Sequence, residues 1–209
     1  DISQPWDQGD FGIIEINAGP GIFMHLAPAI GQSIDVPGAI IRAHFPSPGS
    51  DRIPIIAGNR ISLRLAEMIR AAAQQLQPDL EFGSLTAEGL HFGGQLLKPC
   101  GRHHQDVKVL LRNPRLGMAA VSHASAEILE HGFGHCGADL VILDLPDQLE
   151  RIMARELAGD GWLIEVGEKS VSVIHGGKRA GEHKLGTDRE ESVFRAVEPL
   201  LSELVARYQ

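Results

Sequence analysis

Three groups of residues carry side chains that could do chemistry. The first is Glu15-Ile16-Asn17, at the end of the apolar run Phe11-Gly12-Ile13-Ile14. In a strand, side chains two positions apart face the same way, so Glu15 and Asn17 project to one side, roughly 7 Å apart at the backbone. A carboxylate and an amide oxygen converging at a strand end suit Mg²⁺, which takes one or two protein oxygens and completes its octahedron with phosphates and water. Gly19-Pro20-Gly21 follows and turns the chain sharply, leaving backbone free to approach a ligand. The same residues also fit a strand-end Glu that caps a neighbouring loop and an Asn that opens a turn, because three positions make a short motif.

The second group is Gly58-Asn59-Arg60-Ile61-Ser62, between a short apolar strand, 53–57, and a helix. Strand, glycine turn and helix make the framework of a phosphate-binding loop. A working loop also needs several glycines, a Lys that reaches the terminal phosphate and a Ser or Thr hydroxyl for the metal. This one is too short, has no Lys and carries Ile61 where the hydroxyl is wanted. Arg60 reads as a solvated residue at a helix start rather than as an anion contact.

The third group is Cys100-x-x-His103-His104 with His131-x-x-x-His135-Cys136. The ligand types are those of a zinc site, but the spacing matches no standard structural site. His103 and His104, adjacent on a helix, must point in divergent directions. Ser122, His123 and Asp144 have the residue types of a hydrolase triad, yet Ser122 does not sit on a Gly-x-Ser-x-Gly elbow. Asp144 and Asp147, which flank Pro146, read instead as caps of the next helix.

The elements that must position these residues follow from periodicity. Residues 35–45 carry Val36, Ala39, Ile40 and Ile41 at helical spacing, with Pro37 tolerable in the first turn. Residues 44–54, with three prolines, Gly49 and two serines, have the composition of an exposed connection. The boundary is placed there, giving domains 1–45 and 46–209. The helix after Gly58 repeats Ile61, Leu65, Met68, Ile69, Ala72 and Leu76, which makes one apolar face that packs on a sheet. Residues 82–98 read as an antiparallel hairpin element. Residues 117–121 and 140–143 lack polar alternation, as parallel strands covered on both faces do. Helices over 103–113, 124–131 and 148–157 separate them, and 162–166 with 171–175 form a terminal strand pair. The last helix opens on Thr187-Asp188-Arg189-Glu190, a capping box, and buries Val193, Phe194, Val197, Leu201, Leu204 and Val205. The fold class is therefore α/β, a mostly parallel sheet flanked by helices.

Composition limits the partners. The 209 residues are 43% hydrophobic and 22% charged, ordinary for a globular protein, and either one large domain or a small one with a fragment could bury a core. A formal charge of −8 argues against a large nucleic-acid or anionic-membrane footprint. No apolar run approaches the roughly 20 residues that span a bilayer, and no secretory signal opens the chain. Two cysteines make no disulfide framework, so a reducing cytoplasm is the expected compartment. The chain opens on Asp1 and reaches its metal-type strand within fifteen residues, so a truncated piece of a longer protein is expected, because a lone strand is not stable.

Two stretches carry a family resemblance. Ile13-Ile14-Glu15-Ile16-Asn17-Ala18-Gly19-Pro20-Gly21, followed by Met24-His25-Leu26-Ala27-Pro28, resembles the closing segment of the ATP-grasp domain of cyanophycin synthetases. The resemblance implies that Glu15 and Asn17 hold the magnesium that bridges the nucleotide phosphates, which makes both the expected metal and cofactor-binding residues. The family usually has Arg before the Met-His pair, where this chain has Phe23. Residues 53 to about 145 resemble the Mur-ligase-like domain that follows the ATP-grasp domain in that family. The shared features are Ile53-Pro54-Ile55-Ile56, the Arg64-Leu65 helix, the hairpin from Glu88 to Leu96, the turn from Val109 to Pro114, and Ile128-Leu129-Glu130-His131-Gly132-Phe133-Gly134.

In an active domain of that type the loop reads Gly-Thr-Asn-Gly-Lys-Thr, and a later strand ends Leu-Glu-Thr-Ala-Arg-Gly-Gly, whose Glu helps bind Mg²⁺. Here the first is collapsed to Gly58-Asn59, and the second is Val121-Ser122-His123-Ala124-Ser125-Ala126-Glu127, with Ser122 at the Glu position and Ser125 at the Arg position. Losing the Lys and the carboxylate removes the charge stabilisation on which phosphoryl transfer depends. Cys136 falls where the family commonly has a Cys, for which a buried packing role is expected.

This combination resembles the second type of cyanophycin synthetase, which joins β-aspartyl-arginine dipeptides in its ATP-grasp domain alone. The resemblance implies a C-terminal segment of such a ligase, with ATP and Mg²⁺ bound only through the ATP-grasp part of the full protein and no catalytic residue in this chain. A peptide or dipeptide would be the full protein's substrate, no nucleic acid or membrane would be a partner, and the Mur-like domain would be structural and able to form homo-oligomers. The other reading is a free-standing, non-catalytic assembly or binding module, with the last helix and the Trp162 strand as contacts.

Overall fold

The computed structural model describes residues 2–3, 12–13, 26–44 and 52–206. The chain divides into two compact units, Asp1–Asp51 and Arg52–Gln209. In the first unit, β1 (Ile2–Ser3) pairs antiparallel with β2 (Gly12–Ile13), and α1 spans Val36–His44. Asp35 starts α1 by accepting the Gly38 N–H on Oδ1 at 2.9 Å, the bond expected of an Asp at a helix entrance.

The second unit is built on one nine-stranded sheet, in the order β11-β10-β9-β8-β3-β7-β4-β5-β6. Its strands are β3 (Ile55–Gly58), β4 (Phe82–Thr86), β5 (Gly89–Phe92), β6 (Gln95–Lys98), β7 (Met118–Ser122), β8 (Leu140–Asp144), β9 (Trp162–Val166), β10 (Ser170–His175) and β11 (Lys178–Lys184). The five central strands, β9, β8, β3, β7 and β4, are parallel. Each margin is antiparallel: β5 and β6 on one side, β10 and β11 on the other. The expected α/β class with a parallel centre holds. The hairpin at 82–98 is not separate, since β4 also pairs in parallel with β7. The terminal pair gains a third strand, β11, whose charged and glycine-containing sequence carries no apolar alternation and is exposed at the edge.

Alternation along the strands assigns the two faces. Ile56, Met118, Ala120, Leu140, Ile142 and Ile164 point to one side, where α2 (Leu63–Leu76) and α6 (Arg189–Ala206) cover them. Ile55, Ala57, Val141, Leu143 and Leu163 point to the other side and meet α5 (Gln148–Ala158). Further along that side, Ala119 and Val121 meet α3 (His103–Leu111) through Val107 and Leu110. The crossover from β7 to β8 runs through α4 (Ser125–His131), a seven-residue helix with no buried residue. No helix among the described residues is long and apolar enough to cross a membrane.

Two helices differ from expectation in detail. The buried face of α2 is Leu65, Ala66, Ile69 and Ala73, while Leu76, in the last turn, is 51% exposed. The two alanines on the buried face have no side-chain bulk beyond Cβ to hold the helix away from the layer it covers. In α6 the cap sits one residue later than expected: Asp188 Oδ1 accepts the Glu191 N–H at 3.0 Å. Asp147 caps α5 as expected, and the structure adds a reciprocal bond from Glu150 that completes a capping box, but Asp144 is not a cap.

Leu145, just after β8, has φ of 46° and is the one described non-glycine residue in the left-handed region. The conformation costs a branched residue of this kind about 1 kcal/mol or more. It is held because the Leu145 N–H donates to Val166 O at 2.9 Å and the Leu145 carbonyl accepts from Arg60 at 3.2 Å. Since the side chain is 49% exposed, Leu145→Asn should keep both bonds, relieve the strain and raise stability by about 0.5–1 kcal/mol. A urea midpoint equal to or below that of the parent chain would count against this.

Candidate functional site

In open α/β sheets, ligands bind beyond the carboxyl ends of the strands, at the point where successive strands change side. Here that point is the end of β3, because the chain builds β4 to β7 on one side of it and β8 to β11 on the other. The turn from β3 into α2 is therefore the place to look for a phosphate. Its groups are already bonded to protein. Asn59 Oδ1 accepts the Asp144 N–H at 2.8 Å, and Asn59 Nδ2 donates to Asp144 O and to Glu150 Oε2, each at 3.0 Å. The Ile61 N–H donates to Ser122 Oγ at 3.2 Å.

The N-terminus of α2, where helix amides and dipole would attract an anion, is capped by its own chain. Ser62 Oγ accepts the Leu65 N–H at 3.1 Å and itself donates to Glu190 Oε1. Arg64 binds Glu190 and Asp188 at once, at 2.7 and 2.6 Å. The Asp188 carboxyl is held down to about 2, first by its hydrogen bond from Arg64 and then by the Glu191 amide. An incoming phosphate would meet the Glu190 carboxylate in the position it needs, with Arg64 already neutralised. These residues do not fit a nucleotide triphosphate. Arg60 is exposed, as expected of a residue at a helix start, and its guanidinium donates to Asp144 O and Leu145 O rather than to an anion.

Beside this turn lies a small pocket lined by Gly58, Asn59, His123, Ser125, Phe133 and Glu150, among others. Among the described residues, no Lys or Arg lines it. The Glu150 carboxylate is taken up by Asn59, by Ser125 Oγ at 3.3 Å and by the Asp147 N–H at 2.9 Å. An apolar pocket with one occupied carboxylate and no cation again opposes phosphate.

The imagined triad does not assemble. Ser122 serves Ile61, and Asp144 is gripped by Arg189, whose Nε lies 2.9 and 3.0 Å from its two oxygens. His123 joins other histidines instead. His103 Nε2 lies 3.0 Å from His123 Nδ1, His123 Nε2 lies 3.2 Å from His135 Nε2, and His135 Nδ1 lies 2.8 Å from Gly137 O. A carbonyl can only accept, so His135 carries its proton on Nδ1 and accepts on Nε2. His123 then donates from Nε2 and accepts on Nδ1 from His103. This assignment satisfies every contact with three neutral rings. Burial is the main reason all three pKa values are lowered, and His123, 3% exposed and flanked by two imidazoles, is pushed down to about 3.

The Cys and His residues of the two zinc-like strings are thus sorted apart. His103 and His135 enter the histidine chain. His104 turns the other way, as adjacent helical positions require, and meets His131 of α4 with ring centroids 3.9 Å apart and the planes tilted by 42°. Glu127, one turn before His131, lies with them. The Glu127–His131 spacing of four on a helix is the sequence signal for this pair. Cys100 and Cys136 are free and exposed. The buried role expected for Cys136 is overturned: the residue is exposed, in a loop that turns at Gly134 and Gly137, with φ of 78° and 148°. Glu15, Asn17 and Phe23 lie outside the described residues.

No known family profile matches the chain. It is 28% identical over 181 residues to the cyanophycin synthetase of Trichormus variabilis, covering 78% of this chain and 20% of that protein. The cyanophycin synthetase of Nostoc sp. matches to the same extent, 28% over 181 residues. That of Geminocystis herdmanii is 29% identical over 153 residues, covering 71% of this chain and 17% of that protein. Among solved structures, the UDP-N-acetylmuramate:L-alanyl-gamma-D-glutamyl-meso-diaminopimelate ligase of Neisseria meningitides aligns with a TM-score of 0.32 at 14% identity, over 85% of this chain and 72% of that one. The chain spans about a fifth of the length of the cyanophycin synthetases it matches, and over most of its own length it is similar to them.

Proposed function

We propose that the chain is a segment of a cyanophycin-synthetase-like ATP-dependent ligase in which residues 46–209 form a Mur-like unit that does not turn over ATP. On this reading residues 1–45 are the remnant of the ATP-grasp domain, and Glu15 and Asn17 are its ligands to Mg²⁺ and, through the metal, to the nucleotide phosphates. Peptide-bond formation on a peptide or dipeptide substrate resides in the ATP-grasp domain of the full protein, in the cytoplasm. The Mur-like unit is structural and offers a surface for self-association.

The observation that carries the silent part is the occupied turn after β3. Glu190, reaching back over 128 residues to Ser62, occupies the anion position at the start of α2. The turn itself, residues 58–62, contains no Lys. Phosphoryl transfer rests on charge stabilisation of exactly that region, so a site that presents a carboxylate works against it.

A free-standing assembly module built on the last helix and the Trp162 strand is less well supported. The apolar face of α6 is spent on the sheet of its own unit, and Trp162 stacks on His175 at 4.1 Å while its Nε1–H donates to Glu203 at 3.1 Å.

The test is titration of the 209-residue chain with a fluorescent ATP analogue in the presence of Mg²⁺, together with a phosphate-release assay. Neither saturable binding in the micromolar range nor hydrolysis is expected. Tight binding that weakens on Arg64→Ala, or steady phosphate release, would overturn the silent assignment.

A further inference from the structure

We propose that His104, Glu127 and His131 form a divalent-metal site of the zinc class that clamps α4 to α3. One donor atom from each residue lies within 4.8 Å of the other two. Around a tetrahedral zinc with bonds of about 2.0–2.1 Å, donor atoms stand roughly 3.3 Å apart, so shifts of about 1 Å in the side chains close the set. The types are right as well. Two imidazoles and a carboxylate are a recurrent zinc ligand set, with the fourth position left to water.

Three further features point to a cation there. His104 Nδ1 is buried and has no hydrogen-bond partner, a state that natural structures rarely leave unexplained except by an ion or water. The His104 and His131 ring centroids lie 3.9 Å apart, close enough for one ion to be shared between them. Glu130 Oε1, 3.5 Å from His131 Nε2, adds a second carboxylate beside the ring, the kind of neighbour that orients a metal-bound histidine.

The backbone frame is suited to the task. Glu127 and His131 are one turn apart on α4 and face the same way, and His104 is in the first turn of α3, so both ligand-bearing stretches are helical. The clamp also supplies what packing does not. Seven residues are too few to hold a helix by backbone bonding alone, and α4 has neither a buried residue nor a side-chain cap at its start.

Calorimetric titration of chelator-stripped chain with Zn²⁺ should show one equivalent bound with micromolar affinity. The melting temperature should rise by about 5–10 °C at a hundredfold excess over the dissociation constant. Glu127→Gln and His131→Gln, both on the outer helix and measured beside their own metal-free circular dichroism, should each weaken binding by at least about tenfold. His183→Gln, on the exposed edge strand β11, should leave affinity within about twofold. Co²⁺ in place of Zn²⁺ should give the visible absorption of a four-coordinate site, lost in His131→Gln. Equal Zn²⁺ affinity in the parent chain, Glu127→Gln and His131→Gln would place the metal elsewhere and overturn the proposal, as would the lack of any zinc-dependent rise in melting temperature.

Discussion

Gly58→Ala is expected to cost the chain about 3 kcal/mol or more, enough to leave a domain of ordinary stability partly unfolded at 25 °C. Gly58 ends β3, the middle strand of the parallel set, and pairs with Ile142 of β8 and Ser122 of β7. A Cβ on it would stand 2.4 Å from the Ile142 carbonyl oxygen and 2.9 Å from Ile61 Cγ1. A backbone carbonyl in a paired strand cannot rotate away as a flexible side chain can. The strand must move instead, and with it the Ile56 and Ala57 side chains, both 0% exposed and packed on opposite faces. The glycine that a phosphate-binding loop keeps to let backbone approach a ligand is kept here to let β8 approach β3. Urea unfolding followed by circular dichroism measures the loss, and a change below 1 kcal/mol would show that the strands are not packed as closely as described.

Acid is expected to destabilise the chain steeply below neutrality, chiefly through His123. In the folded chain its pKa lies near 3, while in the unfolded chain it returns to the ordinary value of about 6.5. The folded pKa is the lower one, so between these values the unfolded state holds the proton and the folded state does not. Stability therefore rises with pH across this window, is fully present above about 6.5, and is lost as pH falls. One such group contributes about 1.4 kcal/mol per pH unit, or about 2 kcal/mol between pH 6.5 and 5.0. Urea midpoints at pH 7.5, 6.0 and 5.0, taken with a chelator present, should fall in that order. His123→Asn, neutral at every pH, should be less stable at pH 7.5 because it strands His103 and His135, and should show a distinctly flatter profile. Parallel profiles for the two chains would mean that His123 is not buried neutral.

Much of the frame could be read in advance because it depends on local rules. The unalternating runs at 118–121 and 140–143 are buried on both sides because helices cover both faces of a parallel sheet, and that is what the structure shows. The Asp147 cap needs only a residue three positions on, so it formed as expected. Strand β11 was invisible for the opposite reason. An edge strand exposed on both sides needs no apolar pattern, and its place is set by the turn at Gly176 and Gly177, with φ of 53° and 74°.

At the candidate sites the division is sharper. The sequence alone determined that the turn at Gly58 lacks an ammonium group, and that His103 and His104 must face apart, since both follow from residue type and from 3.6 residues per turn. Only the tertiary structure decided what each of them meets: Glu190 against Ser62, His123 and His135 beside His103, Glu127 and His131 beside His104. Those partners are 20 to 128 positions apart along the chain. Local periodicity states which way a side chain points but not what the packing of sheet and helices will bring in front of it, and the chemistry of these sites lies in that second quantity.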